Sequence, residues 1–486
     1  MTVTRREFWR TTGAVAGVLL LRPAMTWAAL EDVAPAPPLH VDLNNPWASI
    51  PELLSRIVPP EFPQRDFVIT KFGAQANRDA SAALGKAIDE CHRAGGGRVV
   101  VPSGEFLTGP IHLKSRVELH VEAGATLRFS QDPTRYPLVF TRWEGVELMN
   151  YSPLIYAFEC EDIAVTGEGT LDGQAGEEHW WPWKGRTPAG HPSDRSAPET
   201  PAPQVADRNR LLKQSEGGVP VARRIYGSGT HLRPTFIEPY RSRNVLIEGV
   251  TIRNAPFWVL HPTLCTNVTV RKVKVISHGP NNDGCDPESS RGVLIEDCLF
   301  DTGDDCIALK SGRNADGRRV NVPVEDVLIR RCQMKAGHGG ITIGSEITGG
   351  ARNVFAEHCR LDSPDLERGL RIKTNTLRGG IVENVFVRDI EIGNVQFAPI
   401  EIDLRYEPRD SGPFIPEVRN VLVERMHSAR SRYGIYIRGL EQAPVRNVVI
   451  RESAFRGVAE GHVIEGTVDV TLTGLTVEAA PKEKKP

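Results

Sequence analysis

Beyond its N-terminal segment the chain has no run of the ~20 apolar residues that a membrane span needs. It also lacks a dominant charge. Lys and Arg number 59 against 61 Asp and Glu, a formal net charge of -2, so overall charge gives no case for a nucleic-acid or anionic-membrane partner. Helical periodicity is nearly missing too. Only residues 79–94, DASAALGKAIDECHRA, place apolar side chains (Ala83, Ala87, Ile88, Cys91) at helical spacing, before Gly95-Gly96-Gly97 stops the helix. The 8 cysteines show no metal-ligand spacing. What is there instead is 45 glycines and many short apolar runs in 486 residues, with 40% hydrophobic and 25% charged content. That composition is soluble and globular, and the pattern points to an all-β repeat architecture.

Residues 1–28 read as an export signal. Arg5-Arg6 sits in a twin-arginine context, Gly13 to Leu21 is a short apolar region, and Thr26-Trp27-Ala28 offers small residues for cleavage. The expected destination is outside the cytoplasm, periplasmic or secreted. Residues 29–65 are Pro-rich and read as a linker, with a short helix at 49–57. Strands begin at Asp66 and alternate with turns. The helix at 79–94 is placed to cover the open end of their stack. The repeat domain is expected to span 66–480, leaving a charged tail at 481–486.

The repeat is visible in its anchors. Asn244-Val245, Asn267-Val268, Gly292-Val293, Asp326-Val327, Asn353-Val354, Asn384-Val385, Asn420-Val421, Asn447-Val448 and Asp469-Val470 recur at 22 to 36 residues. These are coil lengths of a right-handed parallel β-helix with variable loops. Five residues after each anchor valine come Val250, Val273, Cys298, Cys332, Cys359, Ile390, Met426, Ser453 and Leu475. They predict one inward ladder in which cysteines serve as small buried hydrophobes rather than disulfides. Two excursions interrupt the coils, residues 174–234 and 313–324, and are expected to be long loops on the groove face. In the first, Trp180, Trp181 and Trp183 are suited either to stacking on sugar rings or to packing the loop down.

Chemistry concentrates in residues 279–312. Asp283 and Asp305 are 22 residues apart, about one coil, and Asp304 adjoins Asp305. A bend at Gly303 is expected to present both adjacent carboxylates outward, since a regular strand would bury one of them. Clustered carboxylates raise at least one pKa, which suits a general acid. Solvated acidic turns or calcium binding are the plainer readings. One coil later comes Gly337-His338-Gly339. Another coil later Arg371 and Lys373 flank Ile372, so both cations share a strand face. Carboxylates across a glycosidic bond, with cations for an acidic sugar, fit hydrolysis.

At these residues the sequence resembles glycoside hydrolase family 28, the polygalacturonases. The family's four motifs read here as Asn281-Asn282-Asp283 (Asn282 in place of Thr), Gly303-Asp304-Asp305, Gly337-His338-Gly339 and Arg371-Ile372-Lys373. The resemblance implies an inverting hydrolase of α-1,4 galacturonosidic bonds in pectic polysaccharide, with a carboxyl separation of about 6.5–9.5 Å. It implies Asp304 as general acid, Asp283 and Asp305 as holders of the attacking water, and His338 as tuner of the acid. It further implies Arg371, Lys373, Tyr406 and Asn281 as substrate-binding residues. No metal or other cofactor is expected, and the chain is expected to be a monomer. The wording from Lys310 to Arg319 is similar to that of exo-acting bacterial members. A calcium-dependent pectate lyase and a non-catalytic polysaccharide-binding β-helix are the alternatives.

Overall fold

The computed structural model describes residues 38–184, 202–407 and 411–481. The proposed signal lies outside them. From Asp66–Val68 to Thr476–Ala479 the strands pair in parallel, each with its counterpart on the next coil. The exception among the described residues is one antiparallel hairpin, Leu138–Trp143 with Val146–Tyr151. The architecture is the expected right-handed parallel β-helix.

The anchor pattern has a backbone cause. Asn244, Asn267, Gly292, Asp326, Asn353, Asn384, Asn420, Asn447 and Asp469 all take positive φ, between 49° and 66°. Each coil turns a left-handed corner there, and Asn, Asp and Gly tolerate that region best. The corner side chains then bond along the stack: Asn384 donates to Asn353, Asn420 to Asn384 and Asn447 to Asn420, at 3.0, 3.0 and 2.9 Å. The next ladder is inward, as expected. Val250, Val273, Cys298, Cys332, Cys359, Ile390, Met426 and Ser453 are all buried, and only the last member, Leu475, is partly open. All 8 cysteines are buried and free.

Helix α1 (Ile50–Arg56) and helix α2 (Ser81–Arg93) fall near the two expected windows. α2 buries Ala83, Leu84, Ala87, Ile88 and Cys91 against the first coils, including Val99 and Phe106. The linker reading needs correction, because Leu39, Ile50, Leu53 and Ile57 bury themselves against Leu294, Leu328, Phe355 and Phe386 on the outside of the stack. Where Gly292 leaves a gap in the asparagine ladder, Asn267 brackets Val58, donating to its carbonyl at 2.7 Å and accepting from its N–H at 2.9 Å. Segment 39–58 is therefore a docked strap.

The two excursions are not plain loops either. Helix α3 (Pro203–Glu216) lies within the first, and helix α4 (Asn314–Val320) within the second. α3 hid because it buries only Gln204, Leu211 and Ser215 and so lacks an apolar stripe. Pro203 at its start and Gly217 at its end were the readable signals.

Candidate active site

The sheet bearing the site runs through Ile307–Leu309, Ile341–Gly344, Arg368–Lys373 and Ala398–Asp403. Its register aligns Ala308, Thr342, Arg371 and Glu401 on the outer face, while Ile307, Ile341, Leu370 and Ile400 point into the core. Ile372 is fully buried between Arg371 and Lys373, as strand alternation requires.

Asp283 follows a turn locked by Asn282. The Asn282 Oδ1 accepts from Ser277 Oγ at 2.6 Å and from Gly279 N at 3.0 Å, and its Nδ2 donates to Phe257 O at 3.3 Å. Asp304 and Asp305 occupy the expected bend after Gly303. A Cβ on Gly303 would lie 2.3 Å from Gly279 O, so only glycine permits this approach of adjacent coils. Asp283, Asp304 and Asp305 then converge, each with a carboxylate oxygen within 4.8 Å of the others. The cluster is not the exposed patch anticipated: Asp305 is 0% and Asp283 2% exposed. The carboxylates tolerate that burial because cations come with them.

Each carboxylate faces a protein cation. His338 Nδ1 lies 3.0 Å from Asp304 Oδ1. Lys373 Nζ donates to Asp305 Oδ2 at 2.7 Å, and Arg371 Nη1 and Thr342 Oγ1 reach Asp305 Oδ1 at 3.3 and 3.1 Å. Lys310 Nζ lies 3.6 Å from Asp283 and 3.2 Å from Glu346. Burial pushes Asp304 and Asp305 up, but these cations outweigh it and hold both below the usual carboxylate range. The Asp304 charge in turn lifts His338 to about 9. Asp283 goes the other way: burial and the Asp304 charge raise it well above the usual range against the pull of Lys310. The raised pKa expected in the cluster thus belongs to Asp283 and not to Asp304.

Arg371 and Lys373 lie 5.6 and 5.3 Å from the Tyr406 ring centroid, so Tyr406 belongs to the same site. Asn281 is oriented by Arg233, whose Nη2 donates to its Oδ1 at 2.8 Å. The tryptophans pack. Trp180 is buried against Tyr136 and Trp183, and Trp181 Nε1 donates to Ala255 O at 2.9 Å. Asp301 stands apart, paired with His278 at 2.8 Å.

A crystal structure of a hyperthermoactive exopolygalacturonase from Thermotoga maritima superposes with a TM-score of 0.81 and is 45% identical, covering 87% of this chain and 95% of that one. The family model described as glycosyl hydrolases family 28 matches residues 225–464. The chain belongs to glycosyl hydrolases family 28. The chain is also similar to a probable polygalacturonase from Vitis vinifera, 28% identical over 78% of this chain and 71% of that protein. An exo-poly-alpha-D-galacturonosidase from Dickeya chrysanthemi is 26% identical over 70% of this chain and 57% of that protein.

Within this family 28 site, sequence reasoning passed over Lys310, Glu346 and Arg233. Lys310 was readable as a lone cation closing the buried strand Ile307–Leu309. Glu346 and Arg233 carried no local signal. Asp286 is fully buried with both carboxylate oxygens unpartnered among the described residues, and burial and the neighbouring Asp283 raise its pKa well above the usual range.

Proposed function

We propose that this chain is an exo-acting, inverting polygalacturonase that hydrolyses α-1,4 galacturonosidic bonds in pectic polysaccharide. The observation that carries this reading is the convergence of Asp283, Asp304 and Asp305 with a cation already set against each. A calcium ion would have to displace those cations, which favours hydrolysis over calcium-dependent elimination. A polysaccharide-binding surface has no use for so costly a charge cluster.

In this reading His338 and Asp304 share one proton across their 3.0 Å contact, and it passes through Asp304 to the glycosidic oxygen as the bond breaks. Asp283 and Asp305 hold the attacking water, which one of them deprotonates. Arg371, Lys373 and Tyr406 receive the substrate carboxylate and ring. Asn281, fixed by Arg233, is the further substrate-binding residue of this reading. All of these groups come from one chain, so a monomer suffices. The 138–151 hairpin, α3 and α4 stand together on the side of the earlier coils and support the exo reading, because they offer a wall where an open groove would continue. The twin-arginine wording of residues 1–28 supports export in folded form.

The product profile from polygalacturonic acid and defined oligomers tests the reading. Galacturonate or another short unit should be released, with viscosity falling slowly relative to reducing ends formed. A rapid viscosity drop with intermediate oligomers would make the enzyme endo-acting, and ultraviolet-absorbing unsaturated products would make it a lyase.

A further inference from the structure

A line of buried ion pairs joins the wall to the catalytic coil. The hairpin tip sets Gly145 against Arg313, whose N donates to Gly145 O at 3.0 Å. Gly145 has φ +79°, and a Cβ there would lie 2.7 Å from Arg313 N, so only glycine seats the tip. Beside it, Glu144 accepts from Arg208 Nε of α3 at 2.7 Å and from Arg313 Nη1 at 2.8 Å. Arg313 continues to Glu346 at 3.2 Å, Glu346 to Lys310 at 3.2 Å, and Lys310 to Asp283 at 3.6 Å. The insertion is thus held in fixed register with the aspartates.

That insertion brings cations it does not neutralise. Lys184 closes the short turn Trp181–Trp183, which is pinned by the Trp181 ring lying against Gly279, just before Asp283. The Lys184 side chain is half-buried, and its ammonium has no hydrogen-bond or ion-pair partner among the described residues. It lies within electrostatic reach of Asp304, Glu144, Arg208 and Arg233. Arg208 spends only its Nε on Glu144. Its side chain is 27% exposed, and its Nη groups are unpartnered among the described residues. Arg233 is fully buried and donates to four neutral acceptors: Gln204 Oε1, Pro256 O, Pro280 O and Asn281 Oδ1. Among the described residues, the earlier-coil side of Asp304 therefore carries surplus positive charge with open donors. Arg371 and Lys373 approach from later coils, where Asp305 already engages them. A partly desolvated cation without a counterion of its own, as Lys184 is among the described residues, is costly, and so is one like Arg208 that shares its carboxylate with Arg313; an anionic ligand group relieves that cost.

We propose that Lys184 and Arg208 form a second carboxylate-binding site, which takes the uronate carboxylate of the sugar across the scissile bond from Arg371 and Lys373. The pocket would then select an acidic chain terminus as well as a terminus as such. This rests on the exo-acting hydrolase reading above.

The test compares trigalacturonate with the same trimer whose non-reducing terminal carboxyl has been reduced to the alcohol. The wild-type protein should favour the acid by ~10-fold or more in kcat/KM, the scale of one charge-assisted hydrogen bond. Lys184→Met and Arg208→Gln should each narrow that ratio toward one, chiefly through KM, while Lys184→Arg should keep it. Lys184 has no hydrogen-bond or ion-pair partner to lose among the described residues, so Lys184→Met should fold, as circular dichroism would verify. An unchanged ratio in folded Lys184→Met overturns the proposal alone. Failure of the wild-type protein to release galacturonate from the acidic trimer overturns the hydrolase reading and this proposal with it.

Discussion

His338 Nδ1 pairs with Asp304 Oδ1 across 3.0 Å, and the two groups titrate in opposite directions because of it. The His338 pKa rises from 6.5 to about 9 on folding, so its stabilising contribution is whole below pH 6.5 and is lost as pH climbs through about 9. Asp304 is depressed, so its contribution is present above 3.8 and fades as pH falls below that value. The alkaline limb of kcat/KM should therefore lie near 9. In His338→Gln the proton must sit on the carboxyl itself, so that limb should move to lower pH. A limb that stays in place would exclude His338 from holding the proton.

Asp304→Asn should cut kcat by at least ~10²-fold, since an amide keeps the shape but delivers no proton. The cost to folding should be small, because His338 can still bond the amide oxygen. Steady-state kinetics on polygalacturonate, with a melting curve beside them, would decide. Turnover close to wild type in a folded variant would remove Asp304 from the role of acid.

Lys373→Ala should do double damage. It removes a carboxylate-binding donor, costing kcat/KM ~2 kcal/mol or more on acidic substrate. It also leaves Asp305, 0% exposed, without its 2.7 Å partner, and breaking a buried pair costs about 3–5 kcal/mol of stability. Chemical denaturation should show the second loss even without substrate. Unaltered kinetics on polygalacturonate would mean that Lys373 serves Asp305 only.

Much of this site was legible because the β-helix converts sequence spacing into stacking. The left-handed corners demand Asn, Asp or Gly, and that demand made Asn353-Val354 or Asn420-Val421 visible as coil markers. Counting from them brought Asp283, Asp305, His338 and Arg371 together correctly. The wall was not legible for the same reason. Glu144 meets Arg313 across 169 residues, through a hairpin and helices that obey no coil period. Burial was missed as well, since strand alternation says which face a side chain takes and not what stands above that face.

The strap offers a test separate from catalysis. Leu53 is 0% exposed against Leu294, Leu328 and Phe355, so Leu53→Ala should destabilise by about 2–5 kcal/mol if the strap unfolds with the stack. Activity at low temperature should be unaffected, because Leu294, Leu328 and Phe355 belong to a different sheet from the one that carries Arg371 and Lys373. A stability unchanged within about 0.5 kcal/mol would show that the strap detaches before the coils unfold.

The stereochemical outcome follows from what the carboxylates are already doing. One oxygen of each lies within 4.8 Å of one from the others, a closest approach and not the carboxyl-to-carboxyl separation that is about 5–5.5 Å in retaining pairs and about 6.5–9.5 Å in inverting ones. That rule describes two carboxylates on opposite sides of a sugar, whereas here Asp304 and Asp305 are adjacent in the chain and Asp283 is a third. Retention needs one of them free to attack carbon. Asp305 has Oδ1 occupied by Thr342 and Arg371 and Oδ2 by Lys373, which leaves it a poor nucleophile. Asp283 is buried and favours its protonated form. Asp304 is committed to His338. A water lodged between Asp283 and Asp305 is the nucleophile that remains, and its attack inverts the α-linkage. Proton NMR of the reaction in its first minutes, before mutarotation, should show the β-anomer of galacturonate. An α-anomer formed first would make one of these aspartates a covalent nucleophile, and its hold on Lys373 or Lys310 would then have to break during turnover.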